Sequence, residues 1–281
     1  MILRGLLVVL SGFLFIFIPG LPMRLLARPG RAAPRGLLYW GMLVWMVALL
    51  LGLFFQSLLR QVIQAGAQAL SGQPIDYALT LVSALVEAFF LETGVYWMLR
   101  WKRSDSGDAA AVGLTLGYGV GLIYQVFTGL ALVGAGFRLT FGDTSEPTLA
   151  ALAHSPLLDL CLGLLAMILF RLALLVVRGA LGMLVGRAAA GRIRFLWLAM
   201  LVDTGFTWVI LAIQLAVSRE RPGQILAGQV DATTAAVTAA YYLLVFLLAY
   251  RWLQTNLLTA SPEAVGQSPK AGRARAAARK G

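Results

Sequence analysis

Residues 85–101 read LVEAFFLETGVYWMLRW, and their reading decides the fold. The run is apolar, rich in aromatic residues and long enough to lie within a membrane span, yet it carries two carboxylates, Glu87 and Glu92, in its middle. A charged side chain at bilayer depth costs roughly 2.5 to 3.5 kcal/mol on the insertion scale, so such groups face a protein interior and mark a pairing or working site. What surrounds these two acids is the question put to the rest of the chain.

The composition sets the solvent. Of 281 residues, 60% are hydrophobic and only 12% charged, and the mean hydropathy is +0.83. A soluble domain carries about 25% charged residues, so the composition predicts an all-α, polytopic membrane bundle in contact with the lipid bilayer, integral to the cell (plasma) membrane. Function then belongs to the bundle itself. The net charge of +11 does not imply nucleic acid, because the basic residues fall in short inter-span segments and at the C-terminus. One cysteine, Cys161, and one histidine, His154, exclude an internal disulfide and leave too few ligands for a His- or Cys-rich metal site.

Apolar runs at 5–19, 36–59, 76–99, 109–136, 157–186, 195–217 and 231–253 predict seven spans. The first has no small-x-small cleavage signal behind it and leads through Pro19, Gly20 and Pro22 into four arginines, so it reads as a retained helix. At about 45 Å, the fifth run exceeds a core of about 30 Å, predicting either a tilted helix or an interfacial turn after Pro156 with the span starting near Leu164. Lys and Arg distribute sixteen to five between the two sets of segments, which predicts the N-terminus outside and the C-terminus inside. Residues 1–255 are expected to form the bundle and 256–281 a basic, disordered cytoplasmic tail.

Helical rise places the buried polar groups in layers. Counted from the basic flanks, Glu92, Arg178 and Asp203 all fall about 12 to 14 Å from the inner edge, with Tyr118 at the same height as a pocket-lining residue. Glu87 and Arg171 fall about 20 to 24 Å deep. One reading is structural: Arg178 neutralises Glu92 and Asp203, and Arg171 neutralises Glu87. The other is a ligand, ion or catalytic site, because three acids against two arginines leave one acid over. Gly113, Gly117 and Gly121, and Gly182 with Gly186, present small faces every fourth residue for close helix packing.

The segment FLETGVY at 90–96 resembles the YhfC-like family of intramembrane proteases, of glutamic or metallo type. Those proteins carry Glu-Glu-x-Gly-Arg-Tyr in this helix and Gly-His-Gly-Gly-x-Glu in the next. Here Glu92, Gly94 and Tyr96 keep the pattern, while Leu91 and Val95 stand where the first glutamate and the arginine belong. In the next helix Tyr118 takes the histidine's place and Leu122 that of the acid. The family's Glu-Arg pair is matched by Phe170 and Arg171, with Arg178 near a further histidine's position, and its late His-x-x-x-Asp by Val202 and Phe206, next to Asp203.

The resemblance implies a glutamate that activates water and a metal ion or histidines that stabilise the transition state. With most of those positions substituted, whether the chain is an enzyme at all stays open, and no cofactor is expected. The leading expectation is a catalytically impaired homologue that binds a transmembrane segment, a lipid or a partner. The alternatives are an active protease using Glu92 as base with Asp203 as its acid partner, and a transport or channel component lined by Glu87, Glu92, Asp203, Arg171 and Arg178. No nucleotide-binding loop and no inverted repeat is present.

Overall fold

The computed structural model describes residues 1–18, 36–66, 73–102, 109–220 and 232–259. These form helices α1 (Ile2–Phe17), α2 (Gly36–Gly66), α3 (Gln73–Lys102), α4 (Ala109–Thr140), α5 (Pro147–His154), α6 (Leu157–Ala189), α7 (Arg194–Glu220) and α8 (Ala232–Thr259). Six of them, α2, α3, α4, α6, α7 and α8, contain a stretch long and apolar enough to cross a membrane. The chain is thus a helical membrane protein, but the expected seven spans resolve differently. The first, α1, has 16 residues and rises about 24 Å, short of the roughly 30 Å hydrocarbon core.

The breaks between helices are written locally. Gly142 (φ 81°) and Gly191 (φ 109°) end α4 and α6 in the left-handed conformation that glycine adopts without strain. Pro156 disfavours a helical conformation at Ser155, which is extended at ψ 147°, and so separates α5 from α6. The short α5, begun by Pro147 at its first turn, lies between the expected runs at 109–136 and 157–186 and was not foreseen. Beyond Pro156 the helix is continuous for 33 residues, so no break separates residues 157–163 from the run that follows. The last helix runs to Thr259, past the expected bundle boundary at 255. The expected disorder of the rest of the tail, and the basic segment at 24–35, lie outside the described residues.

Helix α4 is the hub, and its glycines are the reason. Gly113 and Gly117 lie against the backbone of α6 at Gly182 and Arg178, so closely that a methyl group at either position would collide with a carbonyl oxygen. Gly119 meets α2 at Leu38, while Gly129 and Gly136 meet α1 at Gly12 and Gly5. Lipid tails are as apolar as leucine side chains, so helices in a membrane are held by close van der Waals packing, which small residues allow. An apolar core joins α2, α3, α4, α6 and α7 around Leu91, Val95, Leu116, Leu181 and Ala199. The first helix is anchored through Arg4, whose guanidinium donates to the Ala153 carbonyl of α5.

Candidate functional site

The polar centre forms where α3, α6 and α7 meet. Arg178 Nη1 donates to Asp203 Oδ2 at 2.5 Å and lies 3.6 Å from Glu92 Oε1, and Nη2 donates to Glu87 Oε1 at 3.5 Å. The Thr207 hydroxyl, one turn beyond Asp203 on α7, donates to Asp203 Oδ1 at 3.4 Å. The Asp203 contact is a short, charge-assisted hydrogen bond, whereas the two glutamates are held at ion-pair range. Three acids therefore share one guanidinium.

Glu87 and Glu92 stand about 140° apart around their helix and about 7.5 Å apart along it, a separation expected to keep both from reaching one face of α6. The arginine spans it, because its two terminal nitrogens point to different acids. Its backbone is pinned from behind by Gly117, so the side chain has its full length available in the seam between α3 and α7.

Exposure divides the cluster. The side chains of Asp203, Glu92 and Arg178 are 0%, 3% and 7% exposed, and that of Glu87 is 41% exposed. Glu92 Oε1 and Asp203 Oδ2 stand on the same Arg178 nitrogen, while Glu92 Oε2 has no donor. The buried part of the site is one cation facing two carboxylates.

Arg171 does not reach Glu87, contrary to the pairing inferred from depth. It is turned toward α4, with its guanidinium 4.2 Å from the Tyr124 ring centroid and 5.0 Å from that of Phe170, and its backbone carbonyl accepts from Gln125 Nε2 at 2.8 Å. Arg171 Nε and Nη1 are buried without a hydrogen-bond partner. Depth counting from one helix flank gives height and not azimuth, and the ring faces of Tyr124 and Phe170 are not visible to a search for opposite charges.

Tyr118 packs in an apolar cluster with Leu114, Leu175, Met183 and Leu253, and its buried hydroxyl has no hydrogen-bond partner. The structure thus brings Glu87, Glu92, Arg178 and Asp203 together and leaves Arg171 and Tyr118 out of their hydrogen-bonded set. Leu91 and Val95, which the resemblance sets where the YhfC-like family has a glutamate and an arginine, are buried in the apolar core, and Val202 is exposed on the bundle's outer surface.

One feature escaped the sequence reading. Asp76, Thr80, Ser83 and Glu87 follow one another at intervals of four, three and four, which puts them on a single face of α3. With Gln56 of α2 and Leu211 and Leu215 of α7 they line a cleft of about 400 Å³ that runs from the start of α3 to Glu87. Gln56 Nε2 donates to the Ser83 carbonyl at 3.2 Å and ties α2 to this wall. The signal was present in the spacing, but three of the four residues are uncharged or sit near the helix end, where polarity draws no notice.

A larger, apolar groove of about 1020 Å³ opens between α3 and α7, with Phe89, Phe90, Trp197 and Met200 on its walls. Thr204, whose hydroxyl has no hydrogen-bond partner, and Gly205, beside which a Cβ would meet no atom within 4 Å, also line it. Among the described residues no three of His, Cys, Asp and Glu are disposed to hold a metal ion. The donor set does not fit the ion implied by the resemblance, since each acid is turned on Arg178. Comparison of the chain with protein-family models, with curated proteins and with solved structures finds no match in any of the three.

Proposed function

We propose that this membrane protein is a catalytically impaired homologue of the YhfC-like intramembrane proteases, which retains a lateral groove for a transmembrane segment while lacking the means to cut it. The observation that carries the reading is Arg178, whose one nitrogen is shared between Asp203 at 2.5 Å and Glu92 at 3.6 Å. A general base must reach water and substrate with a free lone pair, and here the cation occupies the position between the two acids. The apolar burial of Leu91 and Val95 supports the same reading. The groove between α3 and α7 suits a helix: it is apolar, and Gly205 leaves room for a close backbone.

The gathering of Glu92 and Asp203 at one Arg178 nitrogen is the observation behind a second reading, an active protease in which the pair divides acid and base roles. One assay separates the two. Purified protein in lipid nanodiscs is incubated with transmembrane peptides and the products are analysed by mass spectrometry. The impaired homologue binds without cleaving, whereas cleavage that Glu92→Gln abolishes would establish the active enzyme and refute the first reading. The proposal includes the topology given by the charge bias, with the N-terminus and the cleft mouth at Asp76 outside the cell membrane and the C-terminus inside.

A further inference from the structure

The buried acids carry one negative charge more than their arginine can balance. Asp203 and Glu92 are both withdrawn from solvent, Arg178 supplies a single positive charge, and Glu87 takes its share of that charge from the cleft side. An isolated charge in a low-dielectric interior is strongly unfavourable unless it is paired or neutralised. The geometry names the neutralising species. Glu92 Oε2 is buried without a donor, and the Glu92 and Asp203 carboxyl groups meet the same Arg178 nitrogen, at 3.6 and 2.5 Å. Two carboxylates on one guanidinium nitrogen leave one charge unmet, and a proton on one of them removes it. A metal ion would need several oxygen ligands, and among the described residues no such group is assembled.

We propose that the buried pair of Glu92 and Asp203 carries one exchangeable proton, on Glu92, reached from the polar cleft by way of Glu87. The groups that face the pair come from every packed element: Glu87 from α3 itself, Arg178 from α6 and Thr207 from α7, with Gln56 of α2 bordering the cleft and Arg171 turned away. The stripe of Asp76, Thr80, Ser83 and Glu87 supplies polar groups one helical turn apart from the cleft mouth to the arginine. In the exchange a proton leaves cleft water for the Glu87 carboxylate and then passes to the vacant carboxylate oxygen of the pair. No bond other than O–H forms or breaks, and Arg178 keeps its charge. The inference does not rest on the family resemblance.

The test is infrared spectroscopy of the full chain in phosphatidylcholine nanodiscs at neutral pH. The proposal expects a protonated-carboxyl C=O stretch, shifted by D2O, of one carboxyl per chain. The band is lost in Glu92→Gln and in Asp203→Asn and kept in Glu87→Gln, where its exchange into D2O slows by about tenfold or more because a positioned proton carrier has been removed. Absence of the band from the unmodified protein overturns the proposal, whatever the variants do. So does its persistence in either variant of the pair, or exchange in Glu87→Gln as fast as in the parent. A sodium titration at constant pH is the remaining arm: loss of the band as sodium rises would show that the site takes a metal cation instead. If Glu92→Gln fails to fold, Asp203→Asn and the unmodified protein still decide the question.

Discussion

Removing the positive charge of Arg178 should damage the bundle far more than removing that of Arg171, although both are buried arginines seven residues apart on one helix. In Arg178→Met the methionine fills much of the space but leaves Asp203 and Glu92, 0% and 3% exposed, without a counter-charge. Removing one partner of a buried ion pair destabilises by about 3 to 5 kcal/mol, which lowers the folded-to-unfolded ratio by roughly two to four orders of magnitude. Glu87 adds little to this loss because its side chain is 41% exposed and borders the cleft. In Arg171→Met the balance is different. The substitution forfeits a contact with the Tyr124 face worth about 0.5 to 2 kcal/mol, and it relieves a buried guanidinium whose Nε and Nη1 have no hydrogen-bond partner. The two effects nearly cancel, so the change should stay within about 1 kcal/mol of the parent.

Unfolding in mixed micelles by titration with sodium dodecyl sulfate, followed by tryptophan fluorescence, measures both variants on one scale. The double variant Arg178→Met with Asp203→Asn should recover part of the loss, since the acid made homeless by the first change is removed by the second. A coupling of roughly 1 to 3 kcal/mol is expected for groups in one ion-pair network. Equal stability of Arg178→Met and the parent, or a larger loss from Arg171→Met than from Arg178→Met, would refute the assignment of Arg178 as the charge on which the three helices converge.

Three further outcomes follow from the structure. Gly182→Ala and Gly117→Ala each place a methyl group onto a backbone carbonyl across the α4–α6 contact and should destabilise by about 1 to 3 kcal/mol, whereas Gly134→Ala, with nothing within 4 Å, should be neutral or slightly stabilising in the same titration. Between α4 and α5, hydrogen bonds from the Ser145 backbone and hydroxyl and from Arg138 hold the Asp143 carboxyl at about 2, below its ordinary 3.8. A depressed carboxylate value means that its stabilisation is complete above 3.8 and is lost as pH falls toward 2, so pepsin cleavage of this turn should rise across that window, relative to Asp143→Asn, which lacks the restraint throughout. In a Cys161→Ser background, a membrane-impermeant maleimide should label Ser145→Cys from outside intact cells and leave Arg192→Cys unlabelled; the reverse pattern would invert the topology.

The helices were legible because each is a long apolar run bounded by Gly, Pro or charge, and the height of Glu92, Arg178 and Asp203 was legible because rise per residue is fixed. Azimuth was not. A sequence gives the face of a residue relative to its own helix, and only packing tells which neighbour that face meets. That is why Glu87 was assigned to Arg171 and found on Arg178, and why Arg171 proved to lie on aromatic faces. The polar stripe from Asp76 to Glu87 was missed for a different reason. Threonine and serine are unremarkable in a membrane helix, where their hydroxyls commonly bond to the preceding turn, as Thr80 does to the Tyr77 carbonyl at 2.8 Å. Only the spacing of all four residues together, with Gln56 opposite, makes them a wall.

Why the acids converge on one arginine follows from the glycines. Gly113, Gly117 and Gly121 draw α4 onto α6, with Gly117 against the Arg178 carbonyl and Gly182 against Gly113. At Gly117 that contact closes the α4 side of α6 against the Arg178 carbonyl, and the Arg178 side chain extends toward α3 and α7. Those two helices then meet around its guanidinium, and each brings its carboxylates to the same point: Glu87 and Glu92 from one, Asp203 from the other. Direction is thus imposed by the side of α6 that is closed, and charge decides what gathers on the side left open. The same geometry explains the inequality within the cluster. Asp203, held at 2.5 Å, has its cation fully, and Glu87 borders the cleft with 41% of its side chain exposed. Glu92 lies between them at 3.6 Å with one oxygen unpartnered, which makes it the group whose charge must be met by something other than the arginine.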